Sequence, residues 1–446
     1  MSNSRHTHTL WRGPLCMALC AALCAACSSK SDDIFSDSAA IRLQKAVAEY
    51  TDLLESNAYG WAMDYYTGTG IEGGIAYTAR FSDGAVTLSC ERPIDYTSVD
   101  SRLNYKYSAG QEAESAYSVK SENSVQLSFD TFNALIHYWT QPFGIDSDGF
   151  AGDYEFTFVH ASPDSVVLRG KKYGRLMRLY PLRQPASEYI AQVVAMRDKL
   201  SAIPRKHLVA DGQSLSVSCM DNHLQYTDGD TRRDLPYTYT DTGIRLYQPI
   251  SVNGIEAQRL DYDEATRDLT SPDGRMRMPY PTLVEQFTGT VTQWYLGYTQ
   301  GNTPTDMCDA LAALVTDCAN GFKKRDWGYE VLSAIYIGGN LQDAATSSHP
   351  QVLGWVVRDN YGRGSFSYFG YAVTMDTEDD AQRLISVTPV EATSGFGLRS
   401  ALCQPIVDWM AANSPFTLTF DTDESPTTVT LTSRQDSGSW LTLSRR

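Results

Sequence analysis

The sequence predicts an α+β fold that is predominantly β. Short runs in which polar and apolar residues alternate recur along most of the 446 residues, and this period of two is typical of half-buried strands. Turn-forming pairs such as Asp148-Gly149 and Tyr173-Gly174 separate the runs, and only a few segments have the 3.6-residue period of a helix. We therefore expect antiparallel meander modules, either barrel-like or sandwiches, with a few flanking helices.

Residues 1–26 predict a secretory signal peptide. Arg5 and Arg12 give the segment a positive start, and residues 15–23 form an apolar core. Ala25 and Ala26 are the small residues that a signal peptidase requires. The apolar core is too short to span a bilayer, so a cleaved signal fits the segment better than a membrane helix.

Residues 27–36 predict a flexible, lipidated tether. Cys27 follows the two alanines and resembles the lipidated cysteine of a bacterial lipobox, although Cys24 stands three residues before it, where leucine is usual. The following "SSKSDD" is polar, and acidic residues at this place resemble the surface-export signal of Bacteroidetes lipoproteins. We therefore expect lipidation at Cys27, attachment to the outer membrane through the lipid, and exposure at the cell surface. An ordinary secretory signal with incidental cysteines is the alternative.

The charge of the chain argues against a nucleic-acid partner. Its formal net charge is −16, and removal of the signal, which contains two arginines and no acids, makes it −18. Such a chain repels phosphate backbones, and no basic stripe offsets this repulsion. No second long apolar run follows the signal, so the lipid would be the only attachment to a membrane.

Five cysteines remain after the signal and the lipidated residue. Cys308 and Cys318 lie in one predicted helix, where ten residues rise about 15 Å, whereas a disulfide requires Cα atoms within about 7 Å. This pair therefore cannot bridge. A chain of this length builds its core without cross-links, so we expect scattered, mostly buried thiols. The remaining three are Cys90, Cys219 and Cys403.

A first domain is predicted over residues 37–184. It begins with a helix that Ser36 or Asp37 caps and that Gly60 ends. Four apolar residues share one face of this helix: Leu43, Val47, Tyr50 and Leu54. We interpret the runs that follow as strands: "GIAYTARF", "AVTLSC", "SVQLSF", "ALIHYW", "DYEFTFVH", "SVVLRG" and "RLMRLYPL".

Two further domains are predicted over residues 185–283 and 284–446. The middle domain has a helix, "SEYIAQVVAMRDKLSAI", followed by strands such as "HLQYTD" and "EAQRLDYD". The C-terminal domain has a helix that ends at Gly321, further strands, and a short helix, "PIVDWMAAN", that opens with Pro405.

Two sequence matches suggest that the C-terminal domain is a distant repeat of the first. Residues 60–83 parallel residues 354–376, and "DSVVLRGKKYGRLMRLYPL" parallels "TTVTLTSRQDSGSWLTL". If the modules are related, Trp61 and Trp355 should occupy equivalent buried positions, each beside a helix. Chance is the alternative, because alternation recurs in any β protein.

Four blocks of the sequence carry a resemblance to a known family. They read "AIRLQKAVAEYTDLLESNAYGWAMDYY", "GGIAYTARFSDG", "SFDTFNALIHYW" and "GDYEFTFVHASPDSVVLRGKKYGRLMRLYPL". Across residues 38–183 the chain resembles a Bacteroidetes lipoprotein family known only as domain of unknown function 4302. The resemblance implies a surface lipoprotein, often encoded near outer-membrane nutrient-uptake components. It implies no catalytic residue, because none is assigned in the family.

The sequence predicts neither a cofactor nor a metal site. "GTGIEG", residues 68–73, matches the dinucleotide fingerprint as a string, but strand-like sequence on both sides predicts a hairpin loop. The acidic runs "IDSDGF" and "DYDEATRD" do not complete a calcium-binding loop and fit solvated turns. The mature-chain histidines have no metal-ligand spacing, although His137 and His160 lie in predicted strands and could share a sheet face.

The hypothesis that the protein is a hydrolase depends on carboxylates that no sequence motif identifies. A glycosidase requires two facing carboxylates, which spacing in sequence cannot reveal. Asp153 and Glu155 alternate onto the same predicted strand face, so they are the pair to inspect. A solvated pair at a strand edge is the structural alternative.

Aromatic residues near turns are the candidates for ligand binding. Amphipathic rings suit stacking on sugars or packing on a protein partner, although Tyr and Trp are also common strand residues that pack in cores. The candidates are Tyr65, Tyr66, Tyr138, Trp139, Tyr361 and Tyr368.

Together these features predict a non-enzymatic binding or accessory component of an outer-membrane nutrient-uptake system. Its expected partners are the membrane, outer-membrane uptake proteins, and a glycan or peptide ligand. A glycan-directed extracellular hydrolase and a structural partner of an outer-membrane complex remain open. A binding module predicts a shallow aromatic surface, a hydrolase a deep cleft with paired acids, and a structural partner a flat apolar patch.

Overall fold

The computed structural model describes residues 38–97, 103–142, 148–289, 293–298, 302, 304–324, 330–337, 351–358, 366–392 and 400–445. Antiparallel strands dominate these residues and form three closed eight-stranded sheets. Neighbouring strands in each barrel follow chain order, as in a meander, and a helix precedes the first strand of each. The predicted β-rich α+β class is confirmed, and the barrel is the form observed.

The first barrel follows helix α1 (Ala39–Glu55), and a two-stranded hairpin branches from it. A one-turn helix, α2 (Ala134–His137), lies between the strand that ends at Phe129 and the strand that begins at Glu155. The barrel strands are β1 (Trp61–Tyr66), β2 (Gly74–Ser82), β3 (Ala85–Cys90), β6 (Glu112–Ser121), β7 (Val125–Phe129), β8 (Glu155–Ser162), β9 (Ser165–Gly170) and β10 (Leu176–Pro181). The hairpin strands are β4 (Ile94–Thr97) and β5 (Asn104–Tyr107).

The second barrel follows helix α3 (Ala186–Ser201). Two short strands, β17 (Leu269–Thr270) and β18 (Met276–Met278), complete the barrel by connecting β16 (Ile255–Tyr262) back to β11 (His207–Ala210). Its strands are β11 (His207–Ala210), β12 (Gln213–Met220), β13 (His223–Asp228), β14 (Thr231–Tyr239), β15 (Gly243–Val252), β16 (Ile255–Tyr262), β17 (Leu269–Thr270) and β18 (Met276–Met278).

The third barrel follows helix α4 (Leu283–Thr288) and contains two longer helices, α5 (Asp309–Lys324) and α6 (Ser400–Ala412). Its strands are β19 (Trp294–Gly297), β20 (Glu330–Ile337), β21 (Val352–Arg358), β22 (Phe366–Asp379), β23 (Leu384–Ala392), β24 (Phe416–Phe420), β25 (Thr428–Ser433) and β26 (Trp440–Arg445). None of the helices in the described part of the chain has the length and apolar character needed to cross a membrane.

The alternation of apolar and polar residues along the strands places apolar side chains inside the barrels. In β25 the side chains of Val429, Leu431 and Ser433 are buried, and those between them are half-buried. Successive side chains point to opposite faces of a strand, so a period of two in the sequence places one apolar set inside. Each barrel has its own hydrophobic core, and Ala62 and Ala76 of the first barrel pack into the core cluster of the second.

The first and second barrels pack closely where β1 turns into β2. Asn222 Nδ2 donates a hydrogen bond to the Gly74 carbonyl at 2.7 Å, and a Cβ atom at Gly74 would lie 2.4 Å from Thr238 Oγ1. Only glycine fits such an approach. Because β1 and β2 pair antiparallel around residues 67–73, the predicted hairpin loop at "GTGIEG" is confirmed.

Helix α1 is present as predicted, but it begins and ends at different residues. Ser38, rather than Ser36 or Asp37, accepts the capping hydrogen bond from the Ile41 amide, and the helix ends at Glu55. Gly60 instead lies where the chain enters β1, with φ of +82°. A Cβ atom there would be 2.6 Å from the Ala79 carbonyl oxygen, which explains the glycine.

Three other predicted elements differ from the structure. The run "ALIHYW" is helical: α2 is followed by a 3₁₀ turn over Tyr138–Thr140, because the Asn133 side chain caps the Leu135 amide. Helix α5 continues past Gly321 to Lys324, and Pro405 lies inside α6 rather than at its start. At Gly321 the missing side chain makes room for Leu402 of α6, which accounts for a glycine within a helix.

Trp61 and Trp355 do not occupy the equivalent positions that the sequence match predicts. Trp61 and Trp355 are both buried in strands, but Trp61 lies in the first strand of its barrel and Trp355 in the third. Trp294 begins the first strand of the third barrel and is also buried, so it has the position that matches Trp61. The two segments of the second sequence match have equivalent places in the strand order, because β9–β10 and β25–β26 are the last hairpins of their barrels.

Candidate functional site

Two of the predicted aromatic residues lie inside the protein. Tyr65 is 0% and Tyr66 5% exposed. The Tyr65 hydroxyl donates to the Asp153 carbonyl at 3.1 Å, and the Tyr66 hydroxyl bonds with Thr238 Oγ1 of the second barrel at 2.7 Å. Burial raises the pKa of both phenols well above the usual range. Both rings therefore serve packing, which leaves no free face for a ligand.

The adjacent pair Tyr138 and Trp139 lies beneath the surface of the first barrel. Trp139 is buried, and its Nε1 donates to the Tyr77 hydroxyl at 2.6 Å. Tyr138 is half-buried and stacks on Phe150 with ring centres 5.8 Å apart. Both rings are therefore engaged in packing within the first barrel. Tyr361 lies outside the described residues, as does the side chain of Tyr368.

The carboxylates of Asp153 and Glu155 have separate protein partners. Asp153 precedes β8 and is buried, and it accepts hydrogen bonds from the amides of Lys172 at 2.8 Å and Tyr173 at 3.1 Å. Burial raises its pKa despite these bonds. Glu155 pairs with Lys120 at 3.1 Å and Lys171 at 3.3 Å.

For Glu155 burial acts to raise the pKa, but the hydrogen bonds from the two lysines outweigh it, so its pKa is lowered. Asp153 is thus fixed by backbone amides, and Glu155 by surface lysines. In this arrangement each carboxylate stabilises the loop or strand that carries it. Within the described residues no group of three His, Cys, Asp or Glu side chains converges to hold a metal ion.

An aromatic surface lies on the first barrel, formed by Tyr105, Phe132, His137 and Tyr154. Phe132 is 47% and Tyr154 42% exposed. The ring centres are 5.6 Å apart for Tyr105 and Phe132, 5.5 Å for Phe132 and His137, and 4.9 Å for His137 and Tyr154. The imidazole is therefore flanked by two exposed rings, one of which stacks on it. We call these four residues the aromatic surface.

His137 presents a polar atom in the middle of this surface. Its Nδ1 lies 3.1 Å from the Asn133 amide nitrogen and 3.2 Å from the Asn133 carbonyl oxygen, so it accepts from the amide in one tautomer and donates to the carbonyl in the other. Burial lowers the pKa of the imidazole. In the neutral ring one nitrogen donates and the other accepts, and the tautomer decides which of these roles Nε2 takes. The hydrogen bonds among the described residues leave Nε2 without a protein partner, so this nitrogen is available to a ligand.

Asn133 holds His137 in place. It is 1% exposed, and its Oδ1 accepts from the Leu135 amide at 3.0 Å, which caps α2. Its Nδ2 donates to the Ala113 carbonyl at 3.1 Å and to Ser115 Oγ at 3.2 Å, both on β6. A fully satisfied buried amide fixes the start of a one-turn helix, and with it the imidazole one turn later.

Tyr105 contributes a second polar group. Its ring stacks on Tyr96 with centres 5.3 Å apart, while its hydroxyl is buried with no hydrogen-bond partner among the described residues. Burial raises the pKa of this phenol, so the group is a neutral donor. An unpaired buried hydroxyl costs free energy, and a ligand oxygen or a water molecule that reached it would recover that cost.

The prediction that His137 and His160 share a sheet face is wrong. His137 lies in α2, whereas His160 lies in β8 and is exposed. Tyr105, Phe132 and Tyr154 are members of the aromatic surface that the sequence did not indicate. Asn133 was the available signal, because an asparagine directly before an apolar run is a common helix cap.

The described residues form three meander barrels, and the first barrel carries the aromatic surface. Residues 31–264 match the family model described as Domain of unknown function (DUF4302). Because the match covers more than half of the chain, the protein belongs to this family.

Other comparisons add little. No curated protein matches the chain. Among solved structures, a DNA polymerase III subunit beta DnaN sliding clamp from Bartonella birtlesii is aligned at 9% identity over 90% of this chain and 97% of the clamp. The TM-score is 0.13, so the alignment supports no structural argument.

Proposed function

We propose that the protein is a surface-anchored, non-enzymatic binding component of an outer-membrane nutrient-uptake system. Lipidation at Cys27 would tether it, and the aromatic surface of the first barrel would bind a glycan. The observation that carries the binding role is the Phe132–His137–Tyr154 arrangement, in which two exposed rings flank an imidazole whose Nε2 has no partner among the described residues.

The chemistry of this surface suits a sugar ring. One face of a pyranose consists mainly of C–H groups and stacks on aromatic rings, while its hydroxyls need hydrogen-bond partners. Phe132 and Tyr154 offer the rings, and His137 Nε2 offers a hydrogen-bonding group between them. The surface carries no charge of its own, because the imidazole is neutral, so a neutral glycan fits it better than an anionic one.

The contacts of Asp153 and Glu155 favour a binding role over hydrolysis. Asp153 accepts a hydrogen bond from a backbone amide, and Glu155 pairs with a lysine. Neither carboxyl group is therefore free to act as the general acid or the general base of a hydrolase. A glycosidase needs two carboxyl groups on opposite sides of the scissile bond. A glycan held on the aromatic surface would therefore be bound unchanged and passed to other components.

The tether is compatible with this role. Residues 28–37 connect the lipidated cysteine to Ser38 at the start of α1, and ten extended residues span at most about 36 Å. The first barrel, which follows α1 directly, would therefore remain close to the membrane. A glycan captured there would lie near uptake proteins in the same membrane.

Binding is tested by electrophoresis of the purified mature protein through gels that contain dextran, xylan or mannan. We expect at least one polysaccharide to retard the wild type, and Phe132→Ala and Tyr154→Ala each to reduce the retardation at least tenfold in apparent affinity. Tyr59→Ala is the matched control, because Tyr59 is 47% exposed and lies outside the aromatic surface. Equal loss in all three variants, or no retardation by any of these polysaccharides, would refute the proposal.

A further inference from the structure

Two cysteines of the third barrel are in sulfur contact. Cys318 lies in α5 and Cys403 in α6, and their Sγ atoms are 3.9 Å apart. Both are buried, with 3% and 0% exposure. The sequence predicted scattered thiols, and their spacing of 85 residues gave no indication that the fold brings these two together.

The helices approach each other tightly beside this pair. Gly321 follows Cys318 by three residues, so it lies on the same side of α5. A Cβ atom on Gly321 would be 2.3 Å from Leu402 Cδ2, and Leu402 is the residue before Cys403. The glycine therefore allows α6 to pack against α5 at the level of the two sulfur atoms.

The other three cysteines lie elsewhere. Cys90 is in β3 of the first barrel and Cys219 in β12 of the second, and burial raises the pKa of each thiol to about 12. Cys308 directly precedes α5, ten residues before Cys318, at the opposite end of the helix from Gly321. Each of these cysteines is thus separated from the contact by the fold or by the length of α5.

We propose that Cys318 and Cys403 form a disulfide that links α5 to α6 under oxidising conditions. A disulfide requires an S–S distance of about 2.05 Å, so the sulfur atoms must move about 2 Å closer. A change of side-chain rotamer in one or both residues supplies movement of this size, since each Sγ is one bond from its Cβ. The neighbouring Gly321 leaves the helices near enough for this closure.

The oxidant in this step is a small-molecule disulfide such as oxidised glutathione. One cysteine loses its proton and attacks a sulfur of the oxidant, which releases one glutathione thiolate and leaves a mixed disulfide. The second cysteine, also deprotonated, attacks the protein sulfur of that mixed disulfide and releases the second glutathione. Two thiols lose two protons and two electrons, and the oxidant is reduced to two thiols.

Burial determines when the step occurs. In the folded protein the two sulfur atoms are inaccessible to glutathione, so exchange requires an open α6 or a chain that is still folding. The cross-link would then be sealed inside the third barrel and protected from reductants outside it. A disulfide between α5 and α6 would restrict the unfolded chain and raise the melting temperature by several degrees.

The test is to refold the full mature chain from denaturant with oxidised glutathione and, in parallel, with dithiothreitol. Each sample is then alkylated in denaturant, digested and analysed by mass spectrometry. We expect the oxidised sample to contain a peptide pair joined through Cys318 and Cys403, 2 Da lighter than the two thiol peptides together, and the reduced sample to contain both as alkylated thiols. Cys308→Ser should retain the cross-link, and Cys403→Ser should abolish it.

The peptide map of the wild type tests the proposed disulfide even if Cys403→Ser does not fold. Alkylation of Cys318 and Cys403 in the oxidised sample, or their linkage to other cysteines instead of to each other, would overturn the proposal. The experiment does not depend on the aromatic surface or on the location of the protein, so its outcome is independent of the proposed function.

Discussion

Asp64 and Arg245 form an ion pair across the junction between the first and second barrels. Arg245 Nη1 lies 2.9 Å from Asp64 Oδ2 and 3.1 Å from Oδ1, and the side chains are 15% and 4% exposed respectively. The guanidinium carbon is also 3.8 Å from the centre of the Tyr180 ring. Burial acts to lower the pKa of Arg245, but the attraction of Asp64 and nearby tyrosines outweighs it and raises the pKa.

Removing one member of this pair should destabilise the protein strongly. Arg245→Ala leaves the Asp64 carboxylate buried without a counter-charge, and we expect the free energy of unfolding to fall by about 3–5 kcal/mol. Asp64→Ala should have an effect of similar size. In the double variant the loss should be smaller than the sum, because no charge is left unpaired. Urea denaturation of the four proteins measures these differences.

An exposed ion pair provides the control for that comparison. Lys106 and Asp95 are 2.7 Å apart, with side chains 79% and 63% exposed. Exposed pairs are well solvated in both states, so Lys106→Ala should leave the denaturation midpoint unchanged. If Lys106→Ala and Arg245→Ala had equal effects, the junction pair would have no special role.

The stability of the first barrel should depend on pH through His137. Because burial lowers its folded-state pKa below the ordinary value of about 6.5, the unfolded chain binds the proton more tightly than the folded protein. The stabilisation is therefore complete above pH 6.5 and is lost as the pH falls through the folded-state pKa. Titration of the imidazole by NMR should give a midpoint below 6.5.

His137→Phe isolates this contribution, because phenylalanine retains a ring and has no titrating group. The variant removes the hydrogen bond between Nδ1 and the Asn133 backbone, so we expect it to be about 1–3 kcal/mol less stable than the wild type above pH 7. The difference should narrow as the pH falls to 5. A difference that is constant over this pH range would contradict the assignment of a lowered pKa to His137.

Truncation of either first-strand tryptophan should open a large cavity. Trp61 Nε1 donates to the Leu54 carbonyl of α1 at 2.9 Å, and the Trp294 ring packs against Phe287 of α4 with centres 5.9 Å apart. We expect Trp61→Ala and Trp294→Ala each to cost about 3–5 kcal/mol. Calorimetry of the two variants would show whether each loss is confined to its own barrel, and a loss below 1 kcal/mol would contradict the packing role.

Anchoring is tested at Cys27. We expect wild-type protein in the membrane fraction, where protease added to intact cells digests it. Cys27→Ala should release the protein or leave its signal uncleaved, because the lipid is the proposed attachment. Recovery of the wild type as a soluble periplasmic protein would contradict both lipidation and surface exposure.

Local patterns in the sequence predicted most of the architecture. Alternation identified strands such as β9 and β25, since the inward residues of a barrel strand are decided by a period of two. The run "ALIHYW" was misread because a short apolar segment fits a buried strand and a buried helix equally well. Its helical form depends on Asn133, whose partners Ala113 and Ser115 lie about 20 residues earlier in the chain.

The candidate site was only partly predictable. Tyr138 and Trp139 indicated the right region, but the exposed rings of Phe132 and Tyr154 come together only through the barrel. Tyr65 and Tyr66 looked equivalent to them in sequence and proved to be buried. Which side of a strand faces solvent is decided by what packs over the barrel, and in this protein the second barrel covers part of the first.

The closure of the second barrel has a practical consequence. The family match ends at residue 264, but β17 and β18, which connect β16 to β11, lie at Leu269–Thr270 and Met276–Met278. A fragment cut at the family boundary would leave two strand edges without partners, and unpaired edges promote aggregation. The matched range is thus shorter than the folding unit, and a soluble two-barrel fragment must extend at least to Met278.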